Sequence, residues 1–344
     1  MLRVRGFAVA AAGALALAGC GSDRRATGPS RDEKAAQVAS ARHRVDPRAV
    51  LGLSPERAAA RLMLVGFAGT GPGAGIVDRL RSRDFGAVAV TAGNYTGDAQ
   101  LSALVDAIKG AASGAHHAPP VVFADRLPVA WAALHAARVG ASFGPVADLA
   151  TTGGPHEHDA FSDDPAGTAR AVTRAIALRT AAHVASAVGH FPGEGSASAD
   201  PELEPATVGQ SLADLRRSDL VPFRRVIRHV PAIQMSNALY AAFDGVTPAT
   251  ELPEAVALLR GLGFHGVVVS GDLTVAAQAG GQSVGSAAIA ALRAGCDLLY
   301  IPGDASMQES AYRAIAAAIR RGTVPPGRAA AALRRAALLQ RVHG

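Results

Sequence analysis

The sequence predicts an α/β chain built as a single-domain (β/α)8 barrel of the TIM type, regular or somewhat irregular. Three observations carry this. Eight short apolar runs alternate with longer helix-like stretches. Most of the runs are continuously apolar, as in parallel strands covered on both faces. After about residue 50, no Pro- and Gly-rich linker divides the chain. A doubly wound sheet is the main alternative, but it would ordinarily use fewer strands.

In chain order, strands are expected at Leu62–Phe67, Gly86–Thr91, Val121–Asp125, Ala141–Asp148, His183–His190, Ala232–Asn237, Gly266–Ser270 and Asp297–Ile301. Helical patterns lie between them at Asp98–Ala112, Val129–Ala137, Asp164–Ala182, Leu212–Ile227, Pro253–Arg260 and Ser283–Arg293. Ser306–Arg321 and Gly327–Gln340 close the chain. Gly69-Thr70-Gly71-Pro72-Gly73-Ala74-Gly75 follows the first strand. It lacks a Gly-Lys-Ser/Thr ending, and Pro72 removes a backbone donor, so it reads as a mobile loop rather than a phosphate cradle.

The N-terminus has a different character. Arg3 and Arg5 precede an apolar stretch, Phe7 to Ala18, of about a dozen residues, too short to cross a bilayer comfortably as a helix. It ends in Leu17-Ala18-Gly19-Cys20, which resembles the lipobox of bacterial lipoproteins: small residues suit a narrow peptidase groove, and the thiol accepts the lipid. Residues 21–49 are polar and small, without apolar periodicity, and read as a flexible tether. The expected layout is a signal peptide at 1–20, a tether at 21–49 and the barrel at 50–344. The chain would then be lipid-anchored at the cell membrane through Cys20, on the extracytoplasmic side.

Cys296 is the other cysteine and sits in an apolar segment, so it reads as a small buried hydrophobe. The net charge of +6 is spread without a basic block, and there is no exposed aromatic series. Nucleic acid is therefore not an expected partner. His116-His117 and His156-Glu157-His158-Asp159 contain metal-ligand residue types, but loop histidines are commonly solvated. The sequence assigns no metal and no cofactor.

A barrel keeps its chemistry at the C-terminal strand ends. Here those ends offer Asp125, Asp148, His190, Asn237, Gly271 and the Pro302-Gly303-Asp304 turn. Singly, each is an ordinary strand terminator; together they line one mouth.

Several segments, in order and at matching spacing, resemble the single-domain β-N-acetylglucosaminidase branch of glycoside hydrolase family 3. They include Gly144-Pro145-Val146-Ala147-Asp148-Leu149, Phe161-Ser162-Asp163-Asp164-Pro165, His190-Phe191-Pro192-Gly193, Asp219-Leu220-Val221-Pro222-Phe223 and Gly266-Val267-Val268-Val269-Ser270. The similarity runs from about Leu53 to Ile319. It implies a barrel that cuts β-linked N-acetylglucosamine, often from cell-wall fragments, with retention of configuration. Retention needs a carboxylate nucleophile and a separate proton donor about 5 Å apart. In this branch the nucleophile is the first aspartate of "SDDL", and the donor is a histidine in the loop "KHFPGHGDTxxDSH", oriented by an aspartate.

This chain departs from the pattern at those positions. Ser270-Gly271-Asp272-Leu273 puts Gly271 at the nucleophile position, and glycine forms no glycosyl-enzyme bond. Asp272 is adjacent, but neighbouring strand residues point to opposite faces unless a bulge re-aims them. In the loop, Asp200 falls on the orienting aspartate, Glu202 on the proton-donating histidine and Gly189 on the sugar-holding lysine, while His190 is kept. Glu202 could serve as an acid only if burial or a like charge raised its pKa. Of "DQEGG" only Asp125 remains; the arginine before "SF" becomes Asp159, and Met235-Ser236-Asn237-Ala238 lacks the histidine of "MTAH".

The leading expectation is an envelope lipoprotein whose family-three barrel is inactive or altered in catalysis. Asp125 and His190 would be left to bind an N-acetylglucosamine-containing cell-wall fragment, or the barrel would meet an envelope protein. An active β-N-acetylglucosaminidase acting on peptidoglycan fragments through Asp272 and Glu202 is the alternative. A different hydrolase rebuilt from Asp125, Asp148, His190 and Glu202 is the third.

Overall fold

A computed structural model describes residues 51–344; Cys20, the expected signal peptide at 1–20 and the whole of the expected tether at 21–49 lie outside the described residues. Eight parallel strands form one sheet: β1 (Met63–Val65), β2 (Ala87–Thr91), β3 (Val121–Asp125), β4 (Ala141–Val146), β5 (Ala185–Phe191), β6 (Ala232–Met235), β7 (Val267–Val269) and β8 (Leu299–Ile301). Consecutive strands are neighbours, and β8 pairs with β1. A parallel bridge between Val269 and Leu298 joins β7 to the entry of β8. Ser270 Oγ strengthens that seam by accepting from the Tyr300 amide at 2.8 Å. The result is a (β/α)8 barrel with short, irregular last strands.

The apolar runs work on both faces, with a period of two. Val88, Val90, Val122 and Ala124 pack outward against the helices. Ala87, Ala89, Val121, Phe123, Ala185 and Ala187 point into the lumen. Alanine suits the crowded interior, whose remaining space is filled by the rings of Phe123, Phe143 and Tyr300, with neighbouring centroids 4.9–5.3 Å apart.

The helices follow the expected segments, with one of them broken and three short α-helices added. The predicted Leu212–Ile227 helix is broken into Leu212–Arg217 and Leu220–Val226. At the break, Ser218 Oγ turns back to donate to the Asp214 carbonyl, while Asp219 is buried beneath the loop after β5, where a Cβ on Gly193 would come within 2.5 Å of it. A tertiary contact overrides local helix preference there. The glycine-rich stretch after β1 is shorter as a loop than expected, because a helix starts at Gly75 and runs to Ser82. Helices Pro55–Arg61 and Leu273–Ala279, and a two-residue parallel pair, Thr207–Val208 with Leu239–Tyr240, are additional elements.

Among the described residues no helix is long and apolar enough to cross a membrane. Cys296 is fully buried beside Thr250, and burial pushes its thiol up to about 12, as expected of an inert core cysteine.

Candidate active site

The C-terminal strand ends and the loops after β4 and β5 enclose a cavity of about 160 Å³. Asp125 reaches it from the end of β3, and burial raises its carboxyl pKa despite the nearby Arg126. Tyr300, inward-facing on β8, puts its hydroxyl 3.3 Å from Asp125 Oδ2. Gln234 on β6 and Arg179 from the helix Pro165–Ala181 complete the wall. Arg179 lies over the Trp131 ring at 4.2 Å, and burial lowers its guanidinium pKa to about 10.

Glu202 comes from the long loop after β5 and is held from two sides. Arg126 Nη2 donates to Oε2 at 2.6 Å, and His190 Nε2 stands 3.1 Å from Oε1. Burial alone would raise this carboxyl; the facing His190 and Arg126 outweigh it and bring it down to about 2. Asp200 shapes the same turn, its Oδ1 accepting from the Glu202 amide at 2.9 Å. Glu202 is thus an ionised carboxylate lining the cavity, neither a solvated loop residue nor a proton reservoir at neutral pH.

Beneath the cavity lies a group that sequence reasoning did not assemble. Asp148 follows β4 and is fully buried; its Oδ1 accepts from the Glu194 amide at 2.7 Å and its Oδ2 from the His190 amide at 3.0 Å. His190 Nδ1 is 2.9 Å from that same Oδ2. His156, expected to be solvated, is buried, with Nε2 3.3 Å from Glu194 Oε2. Desolvation lowers the His156 pKa, but Glu194 and Asp148 raise it further, to about 9. His190 is likewise lowered by burial and raised well above its ordinary value by Glu194, Glu202 and Asp148. For Asp148, burial raises the pKa and His190 brings it down below the usual range. The signal for Glu194 and His156 was only their residue types in loops; nothing local shows that residues 38 apart converge.

The segment after β7 is arranged differently. Gly271 donates its amide to Thr250 Oγ1 at 3.1 Å. A Cβ on Gly271 would stand 2.3 Å from Asn237 Oδ1, so the Asn237 side chain fills the space where a residue-271 side chain would start. Asp272 is the N-cap of the helix Leu273–Ala279: its Oδ1 accepts from the Thr274 amide and hydroxyl, both at 2.7 Å. Its carboxylate is not among the groups lining the cavity, while Asp125, His190 and Glu202 are.

Comparison with known proteins agrees with this architecture. The family described as glycosyl hydrolase family 3 N terminal domain matches residues 129–339. A Pseudomonas aeruginosa protein named β-hexosaminidase is 36% identical over 197 residues, 54% of this chain and 56% of that protein. A β-hexosaminidase of Tolumonas auensis is 31% identical over 256 residues, 64% of this chain and 76% of that one. The match to the first of these spans little more than half of that relative's length. Among solved structures, a glycoside hydrolase family 3 β-N-acetylglucosaminidase from Paenibacillus sp. str. FPU-7 superposes with a TM-score of 0.78 at 25% identity, over 85% of this chain and 63% of that one. A β-N-acetylhexosaminidase from Beutenbergia cavernae has the same fold, with a TM-score of 0.74 at 23% identity over 84% of this chain and 99% of that chain.

Proposed function

We propose, because this chain belongs to glycosyl hydrolase family 3, that it is a sugar-binding barrel of that family which has lost the family's covalent chemistry. In this reading residues 1–20 are a signal, lipid on Cys20 anchors the chain at the cell membrane, and residues 21–49 tether the barrel at 50–344. The cavity then takes an N-acetylglucosamine-containing cell-wall fragment. Asp125 and the charged Glu202 carboxylate offer acceptors for sugar hydroxyls, and Tyr300 offers a ring. The cavity is small beside drug-sized sites of several hundred Å³, which favours one sugar ring over a long chain.

One observation carries the loss of catalysis. Gly271 occupies the position that the resemblance gives to the nucleophile, Asn237 fills the adjoining space, and Asp272 is engaged as a helix cap. A retaining mechanism needs a free carboxylate facing the anomeric carbon. Glu202 adds to the case, since a carboxyl held near 2 has no proton to give at neutral pH.

The test is turnover of a chromogenic β-N-acetylglucosaminide by protein lacking residues 1–20, with calorimetric binding of N-acetylglucosamine and a muropeptide alongside. Binding without release is the expected result. Release that vanishes in Asp272→Asn would overturn the reading in favour of an active β-N-acetylglucosaminidase. Neither binding nor release would turn the search to an envelope protein partner.

A rebuilt hydrolase has one observation in its favour. Asp125, with a raised pKa, and Glu202, with a lowered one, line the same cavity, the division of labour that an acid and a base require. Release abolished by Asp125→Asn but indifferent to Asp272→Asn would identify it.

A further inference from the structure

We propose that Asp148, His156, His190 and Glu194 form a closed, tetrahedral Zn²⁺ site beneath the cavity. Each residue offers one ligand atom, and the four atoms lie within 4.8 Å of one another. Around the group, Asp148 Oδ2 to His190 Nδ1 is 2.9 Å, His190 Nδ1 to Glu194 Oε2 is 3.3 Å, Glu194 Oε2 to His156 Nε2 is 3.3 Å, and His156 Nε2 to Asp148 Oδ2 is 3.8 Å. Zinc bonds to nitrogen and oxygen of about 2.0–2.1 Å set a tetrahedral edge of about 3.4 Å. Four of the six edges straddle that value and the other two fall within 4.8 Å, so a movement of about an ångström brings all four atoms onto one ion.

The outer nitrogens of the two imidazoles give an independent reason. His190 Nε2 lies 3.1 Å from Glu202 Oε1, and His156 Nδ1 lies 3.1 Å from Asp159 Oδ1. Each ring therefore has a carboxylate to receive the N–H on its outer side, the arrangement that orients metal-binding histidines. With those hydrogens directed outward, the inner nitrogens present lone pairs to two carboxylate oxygens. Four acceptors then converge in a buried space, and a divalent cation satisfies all of them while cancelling the charge of Asp148 and Glu194. Two nitrogens and two oxygens at these spacings suit zinc better than calcium or magnesium, which prefer more oxygen ligands. His156 and His190 also line the cavity, which gives the ion a way in. With four protein ligands the site is structural, and it fastens the segment after β4 to the end of β5.

The experiment uses the full-length chain in detergent, stripped with EDTA and titrated first with Co²⁺ and then with Zn²⁺. The expected result is one Co²⁺ per chain with the intense visible bands of a tetrahedral ion, displaced by one Zn²⁺. Glu194→Gln and His156→Gln should abolish the bands. Asp159→Ala should weaken binding about 10–100-fold through loss of the outer hydrogen bond. His158→Ala, exposed in the same loop, should leave binding unchanged. Folded wild-type protein that gives no tetrahedral bands would overturn the proposal, with protons on the imidazoles then holding the group together. Bands that survive both Glu194→Gln and His156→Gln, or vanish in His158→Ala, would overturn it equally. The wild-type titration decides the matter by itself if the variants fail to fold.

Discussion

Glu251 illustrates how one buried group sets a pH dependence. It is 7% exposed in the short helix Ala249–Glu251; one oxygen accepts from Gln282 Nε2 at 2.7 Å, and the other has no partner. Desolvation raises its pKa from 4.5 to about 7, with the Gln282 bond opposing. Between those values the folded state holds a proton that the unfolded state has released. Stability from this group is therefore greatest below pH 4.5, falls as pH rises to about 7, and is flat above that. The loss across the window is about 3 kcal/mol. Thermal unfolding from pH 4.5 to 8 should show Glu251→Gln with a flatter profile than wild type and higher stability at pH 8. Identical profiles would mean that Glu251 titrates normally.

A helix terminus distinguishes the two roles weighed for Asp272. As N-cap of Leu273–Ala279 it satisfies the Thr274 amide, and asparagine does this as well as aspartate. Asp272→Ala is expected to cost about 1 kcal/mol in denaturant unfolding, while Asp272→Asn should be close to neutral. A large loss in both would point to the carboxylate charge rather than the cap. Where two of the helices begin was legible: Asp164 and Ser283 open the expected helical patterns and cap those helices in the structure. The kink at Ser218 was not, because it depends on Asp219 reaching a loop that is distant in the chain.

Asp297 ties the whole barrel together at the entry to β8. It has no exposed surface and meets Arg260 at 2.8 Å, Arg328 at 2.5 Å and Arg335 at 3.0 Å, drawn from the helices Pro253–Gly261 and Pro326–His343. It also accepts the Val268 amide at 3.1 Å. Asp297→Ala would leave three arginines facing one another without their counter-charge. A loss of about 3–5 kcal/mol is expected in reversible unfolding, the usual cost of removing one partner from a buried ion pair. A loss under about 1 kcal/mol would mean that the arginines find water instead. The short, irregular β7 and β8 make this anchor more important than a longer strand would need.

The architecture was written in local pattern. Eight apolar runs, most of them continuous, separated by helical periodicities suffice to specify parallel strands and their covering helices, since burial on both faces leaves that mark in most runs. Gly271 was equally plain, because the lack of a side chain needs no neighbours to interpret. Asn237 filling the space beside Gly271, Arg126 holding Glu202 charged, and His156 meeting Glu194 depended on packing. Each joins residues from different strand ends, and burial and opposing charges, not residue type, set what they do. The sign of the Glu202 shift shows this most clearly: the sequence offered a candidate acid, and the fold surrounds it with cations that keep it a carboxylate.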